Sequence, residues 1–158
     1  MESNEEKVIS VVRAETLAQR AGAYYVRIQA MAKKHHISLE QEFDEHDTPE
    51  TNYILMLDHD FPVATCRLYA IDQVSVMIGR VVVLPEYRHM GLGSQVILAA
   101  EQWARELGFQ KSVLESREGK TGFYERLGYT ADYHWIIKGD TFTCVHMEKE
   151  LQVREGHA

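Results

Sequence analysis

The chain has 158 residues, with 17 basic and 24 acidic side chains (net charge −7), 45% hydrophobic residues, three prolines and two cysteines. These values fit one globular domain over 1–158 with loose ends at 1–6 and 151–158, and exclude collagen-like, disulfide-scaffold and wholly disordered chains. No apolar run approaches the roughly 20 residues of a membrane span, the acidic opening residues 1–6 are unlike a secretory leader, and no Lys/Arg block exceeds Lys33-Lys34, so the expectation is a cytoplasmic protein with neither membrane nor nucleic acid as partner.

Val8-Ile9-Ser10-Val11-Val12 reads as a short strand. After it Leu17, Ala21, Tyr24, Ile28 and Met31 recur at helical spacing, which predicts a helix with those five on its core face and Tyr25 beside the stripe. From Lys33 to Thr51 periodicity dissolves into a polar loop with room for a short helix. Within it Asp44-Glu45-His46-Asp47 reads as a turn before Pro49. Without Cys-x-x-Cys or His-Glu-x-x-His spacing no metal site is expected.

Tyr53 to Leu57 and Val63 to Ala70 are apolar runs around Asp58-His59-Asp60-Phe61-Pro62, a hairpin pattern. Val76 to Leu84 follows, and Val81-Val82-Val83 is continuous enough to predict a central strand buried on both faces, ended by Pro85. A helix from about Ser94 to Leu107 presents Val96, Ile97, Ala100, Trp103 and Leu107 on its apolar face and stops at Gly108. Ser112 to Glu115 reads as a strand, Thr121 to Leu127 as a short helix closed by Gly128, and Tyr129 to Ile137 and Thr141 to Lys149 as two final strands. Cys66 and Cys144 lie in strand-like runs and read as reduced core residues.

The segment Glu86-Tyr87-Arg88-His89-Met90-Gly91-Leu92-Gly93, between the central strand and its helix, carries the most chemistry. Gly91 and Gly93 permit a tight backbone path, and Ser94 opens a helix whose first N–H groups lack internal partners, an anion-binding arrangement with Arg88 and His89 at its mouth. A Gly-x-Gly after a strand is also compatible with a purely structural turn. A dinucleotide fingerprint would need a small residue where Val96 stands, and the Walker spacing ahead of Gly119-Lys120-Thr121 fails at Leu114.

The run from Val81 to Gly93 resembles the acetyl-CoA pyrophosphate motif of the GNAT acyltransferases, Arg/Gln-x-x-Gly-x-Gly/Ala, and Gly122-Phe123-Tyr124-Glu125-Arg126-Leu127-Gly128-Tyr129 resembles that family's Phe-Tyr-Glu-x-Leu-Gly-Phe/Tyr ending. Arg67-Leu68, Ile78-Gly79-Arg80-Val81 and Glu42-Phe43-Asp44-Glu45-His46-Asp47 resemble a small bacterial branch of it. The resemblance implies an α/β fold of the α+β kind: a mixed, twisted sheet of six or seven strands flanked by helices and splayed between its fourth and fifth strands. It implies acetyl-CoA as cofactor, with Val81, Val82 and Val83 beside the pantetheine and Arg88, His89, Met90, Gly91, Leu92, Gly93 and Ser94 around the pyrophosphate.

The same resemblance implies direct acetyl transfer to an amine of a small molecule or peptide. An alkyl ammonium must lose its proton, which from pKa ~10.4 at pH 7 costs about 4.6 kcal/mol. By the family's pattern the Val83 N–H stabilises the developing oxyanion and the Tyr124 hydroxyl protonates the departing thiolate; a tyrosine packed in the core is the alternative for Tyr124. Several relatives carry a strand-four glutamate where this chain has Met77, so Glu115 is the first candidate proton acceptor, with His134, His146 and a water relay behind it. Arg117 stands where many relatives have Asn or Gln on the cofactor, and is either a phosphate contact or a surface charge. Tyr25, Glu42, Asp44, His46 and Trp135 are the acceptor-side candidates, a set whose acids favour a cationic acceptor. A homodimer is the family's frequent assembly. A non-catalytic acyl-CoA-binding or regulatory module of the same fold is the competing expectation.

Overall fold

The computed structural model describes residues 6–151. In chain order the elements are β1 (Ile9–Arg13), α1 (Leu17–Arg27) running through a π-helical turn (Ile28–Ala32) into α2 (Lys33–His35), α3 (Leu39–Glu42), β2 (Asn52–Asp58), β3 (Phe61–Ala70), β4 (Ser75–Val83), a 3-10 turn (Pro85–Tyr87), α4 (Leu92–Glu106), β5 (Lys111–Arg117), α5 (Thr121–Glu125), β6 (Thr130–Lys138) and β7 (Thr143–Glu150). The strands form one seven-stranded mixed sheet in the order β1-β2-β3-β4-β5-β7-β6, with β4 and β5 parallel. Among the described residues no helix is long and apolar enough to cross a membrane.

Strand β4 takes the central place its valines predicted, yet it is not buried on both faces throughout. Val76 and Ile78 are buried, whereas Val81 and Val83 are half-buried around a buried Val82. The cause is local: Arg80 has φ 48°, a left-handed conformation that interrupts the pleat. The parallel ladder with β5 joins Ser75–Met77 to Lys111–Val113.

The described residues form two compact units, one of those up to Arg67 with Arg80–Ala100, the other of Leu68–Gly79 with those from Glu101 onward. In the first, Thr16 caps α1 reciprocally with Gln19, and Ala23 packs with Ala14, Tyr53 and Leu55. The helix does not bury the stripe predicted for it. Leu17 and Ala21 are exposed and Tyr24, Ile28 and Met31 half-buried, while Gly22, Ala23, Val26, Arg27 and Ala30 face inward. Small residues explain the rotation: a Cβ on Gly22 would stand 3.1 Å from Leu55 Cδ2 and 3.3 Å from Pro62 Cβ, so the helix lies close against β2. The π-helical turn then breaks the 3.6-residue period. On α4, Val96, Ile97 and Ala100 are fully buried, and the Cys66 thiol donates to the Val96 carbonyl at 3.4 Å.

In the second unit Leu114, Val145, Met147 and Ala104 are buried. Fully buried Glu101 accepts from Lys149 Nζ (2.7 Å) and the Tyr129 hydroxyl (2.9 Å), and that hydroxyl also meets Ser112 Oγ at 2.7 Å. Leu107, expected on the helix's apolar face, is 52% exposed because α4 ends before it and Gly108 turns away at φ 93°. Cys144 is half-buried rather than a core residue, and both cysteines are free. Of the ends expected to be loose, 1–5 and 152–158 lie outside the described residues. Leu151 is instead buried, its N–H bonded to the Gln110 carbonyl at 2.8 Å.

Candidate active site

The segment after β4 builds an anion cradle from backbone. Pro85–Tyr87 turns once, Arg88 is extended, and His89 (φ 65°) and Gly91 (φ 78°) both adopt left-handed conformations before α4 begins at Leu92, two residues earlier than its sequence suggested. The Gln95 N–H bonds the Gly91 carbonyl at 3.2 Å, so the N–H groups of Leu92, Gly93 and Ser94 precede the first helical bond and have no acceptor within the helix. A Cβ on Gly91 would meet no protein atom within 4 Å; the space in front of the turn is open. Arg88, His89 and Met90 are exposed around it. Lys7, which sequence spacing had no means of placing here, lies 3.9 Å from Met90 Sδ and 4.6 Å above the Tyr87 ring. Helix dipole, unpaired N–H groups and clustered cations fit a pyrophosphate.

Also in the first unit, the 33–51 segment is not an open loop. It closes over a buried ionic network. Arg27 (0% exposed) donates Nε to Glu42 (3.0 Å) and Nη1 and Nη2 to Asp47 (2.6 and 3.0 Å). Arg67 reaches Asp44 (2.8 Å) and Asp47 (3.0 Å), and Arg80 reaches Glu42 (3.1 Å) and Asp44 (3.2 Å). The Tyr53 hydroxyl donates to Asp47 at 2.6 Å. Burial pushes the Asp47 carboxyl up, but the bonds from Arg27 and Tyr53 outweigh it and hold Asp47 well below the usual carboxylate range. Burial and the bond to Asp47 push the Tyr53 hydroxyl up.

The network corrects one acceptor-side expectation. Glu42 is 2% exposed and committed to two arginines, so it has no free charge to offer a cationic acceptor. Asp44, 24% exposed, retains an accessible edge while bonded to Arg67 and Arg80, and the His46 ring is half exposed beside Glu45. Tyr25 stands elsewhere. Its ring meets Phe61 edge-on at 5.6 Å and, with Gln29, Lys33, Lys34 and the residues from Leu84 to Tyr87, lines a cavity of about 620 Å³ to which Glu42, Asp44 and His46 do not contribute.

The second unit carries the remaining candidates. Tyr124, on α5, is half-buried, its ring edge-on to Phe123 (5.0 Å) and Tyr129 (6.3 Å). Arg117 lies 3.9 Å above the Phe142 ring. Glu115 is exposed on β5, directly across the ladder from His146 on β7, and directly opposed residues of an antiparallel pair point to the same face. His146 is 6% exposed and stacked flat against Trp135, with centroids 3.6 Å apart and planes 4° from parallel. Its Nε2 meets Glu148 Oε2 at 2.9 Å, and Lys111 holds the other Glu148 oxygen at 2.9 Å. The bonds from Lys111 and then His146 hold the Glu148 carboxyl below its usual range. Trp135 reaches His146 because β6 bulges between Asp132 and Ile136, a register shift that alternation alone did not reveal. His134, in the same bulge, is exposed.

Residues 14–129 match the acetyltransferase (GNAT) family model. The chain belongs to the GNAT family. A Bacillus subtilis (strain 168) protein provisionally named an acetyltransferase is 30% identical over 120 residues, 74% of this chain and 81% of that one. A crystal structure from Lactobacillus plantarum, provisionally named an N-acetyltransferase, superposes with a TM-score of 0.85 at 30% identity, over 91% of this chain and 99% of that one. An aminoglycoside 6'-N-acetyltransferase crystallised with coenzyme A shares the fold at 14% identity, with a TM-score of 0.73 over 94% of this chain and 99% of that one.

Proposed function

We propose that this GNAT chain is an acetyl-CoA-dependent N-acyltransferase that passes the acetyl group directly to an amine of a small molecule or peptide. The observation that carries the reading is the turn at Arg88–Ser94, where two left-handed residues and the start of α4 present unpaired N–H groups to open space among cations. The pyrophosphate would rest on those N–H groups, with Arg88 and Lys7 neutralising its charge. Val81, Val82 and Val83 on β4 would offer backbone groups to the pantetheine amides, and the Val83 N–H would stabilise the negative charge developing on the acetyl oxygen. Tyr124 is the hydroxyl that protonates the leaving sulfur, Glu115 the carboxylate that meets the acceptor's ammonium, and Arg117 a contact for the cofactor. Tyr25, Asp44, His46 and Trp135 are individual acceptor-side candidates rather than one site, and the Asp44 carboxylate favours a cationic acceptor.

The test is calorimetric titration with acetyl-CoA beside the Gly91→Glu variant, whose carboxylate would occupy the open space and repel phosphate, followed by thiol-release assays on a panel of primary amines. Expected are saturable binding lost in the variant, amine-dependent turnover, and a Tyr124→Phe variant that binds acetyl-CoA normally but turns over about 10²–10⁴-fold more slowly. Absence of binding at millimolar acetyl-CoA would overturn the reading. Binding without any turnover would indicate a non-catalytic acyl-CoA-binding module.

A further inference from the structure

We propose that in this reaction His146 is the group that takes the proton from the acceptor amine, with Glu148 as its positioning residue, an assignment that rests on the acyltransfer reading above. The geometry resolves which ring nitrogen is available. Glu148 is an ionised acceptor fixed by Lys111 at 2.9 Å, so the bond at Nε2 requires an Nε2–H donor. In the neutral imidazole that leaves Nδ1 as the lone-pair nitrogen, and among the described residues no protein group takes it. Trp135, stacked 3.6 Å away and 4° from parallel, fixes the ring plane. By register the charged and titratable groups on the ring's face include Glu148 and Cys144 on β7, Glu115, Lys111 and Arg117 on β5, and Asp132, its register partner on β6. The carboxylates of Glu148, Glu115 and Asp132 favour the imidazolium that proton uptake creates, and the Lys111 and Arg117 cations oppose it.

An imidazole suits the task better than the exposed carboxylate of Glu115 does. Reference pKa values of ~6.5 for imidazole and ~4.3 for a glutamate, against ~10.4 for an alkyl ammonium, leave a smaller uphill step to the ring. Glu115, across the ladder on the same face, then serves to attract and orient the ammonium. The step balances as follows. Nδ1 of His146 takes one proton from the ammonium, the freed nitrogen lone pair forms the N–C bond to the acetyl carbon, and the C–S bond breaks. The sulfur takes a proton from the Tyr124 hydroxyl, which the solvent restores, the amide nitrogen sheds its second proton to water, and the imidazolium releases its own.

The test pairs kinetics with a readout that needs no acceptor. His146 is followed by NMR of its ring protons from pH 5 to 9 in the native chain and in Glu148→Gln. The assignment expects the ring response in Glu148→Gln to move to lower pH than in the native chain, because a neutral amide no longer favours the imidazolium. A ring that does not titrate, or whose midpoint ignores Glu148, overturns the assignment. In the amine assay His146→Gln is expected to lower kcat by about 10²-fold or more with the acetyl-CoA Kd unchanged, and Glu148→Gln to move the rising limb of the pH–rate profile down by the NMR shift. A His146→Gln enzyme within twofold of native kcat, with the same profile, overturns the assignment while leaving acyltransfer standing. A native chain that binds acetyl-CoA and acetylates no amine overturns both.

Discussion

Replacing Asp47 by Asn isolates the buried network that holds the 33–51 segment. Asp47 accepts five bonds: from Arg27 at 2.6 and 3.0 Å, from Arg67 at 3.0 Å, from the Tyr53 hydroxyl at 2.6 Å and from the Asp44 N–H at 2.9 Å. Asparagine keeps the shape and one acceptor oxygen but removes the charge, leaving Arg27 with no exposed surface and only Glu42 to neutralise it. Breaking a buried pair from one side costs about 3–5 kcal/mol, and the pair that remains places the expected loss near the lower end, about 3 kcal/mol at pH 7. With a urea slope of about 2 kcal/mol/M, the midpoint falls by about 1.5 M. The pH dependence gives the sign. The folded value of Asp47 lies below its unfolded value of about 3.9, so its contribution is present above that value and fades as pH falls through it toward the folded one. The gap between native and Asp47→Asn proteins is therefore greatest at neutral pH and narrows progressively below about pH 4. Urea titrations at pH 7, 5 and 3 measure it. A loss under 1 kcal/mol at pH 7, or a gap that widens with acid, would refute the claim that the charge of Asp47 stabilises the fold.

Arg80 combines a strained backbone with a useful side chain, so Arg80→Ala and Arg80→Gly both lose the bonds to Glu42 and Asp44, but only glycine relieves φ 48°. Arg80→Gly is expected to be the more stable of the two by about 1 kcal/mol in urea titration. Glu101→Ala removes the carboxylate that neutralises Lys149, leaving its ammonium with the Leu127 carbonyl and the Tyr129 hydroxyl with Ser112, and is expected to cost about 3 kcal/mol, read as a fall in thermal midpoint. Cys66 is buried and desolvation raises its thiol pKa, whereas Cys144 is half-buried; a thiol reagent at pH 8 is expected to label Cys144 first and Cys66 only on unfolding.

Reading the linear chain recovered every strand and the helix after the central one, because their signals are local. β-branched runs end at turn residues, and Gly91, Gly108 and Gly128 mark positions that the fold does place at positive φ. The backbone cradle was legible for the same reason: a strand, a glycine-bearing turn and a helix start adjoin in sequence. The face of α1 was not legible. Its orientation is decided by how closely Gly22 approaches Leu55 and by a π-helical turn, neither of which a 3.6-residue period registers.

What the sequence determined by itself is therefore the order of elements, the central position of the valine-rich strand and the loop suited to an anion. What tertiary structure alone decided is which charged groups are spent and which are available. Arg27 finds Glu42 and Asp47, 15 and 20 residues away, and that pairing withdraws Glu42 from the acceptor-side candidates. Trp135 finds His146 only because β6 bulges and β7 returns beside it. Pairing energies of buried charges and the protonation chemistry of an imidazole depend on neighbours brought together by chain reversal, which sequence spacing does not encode.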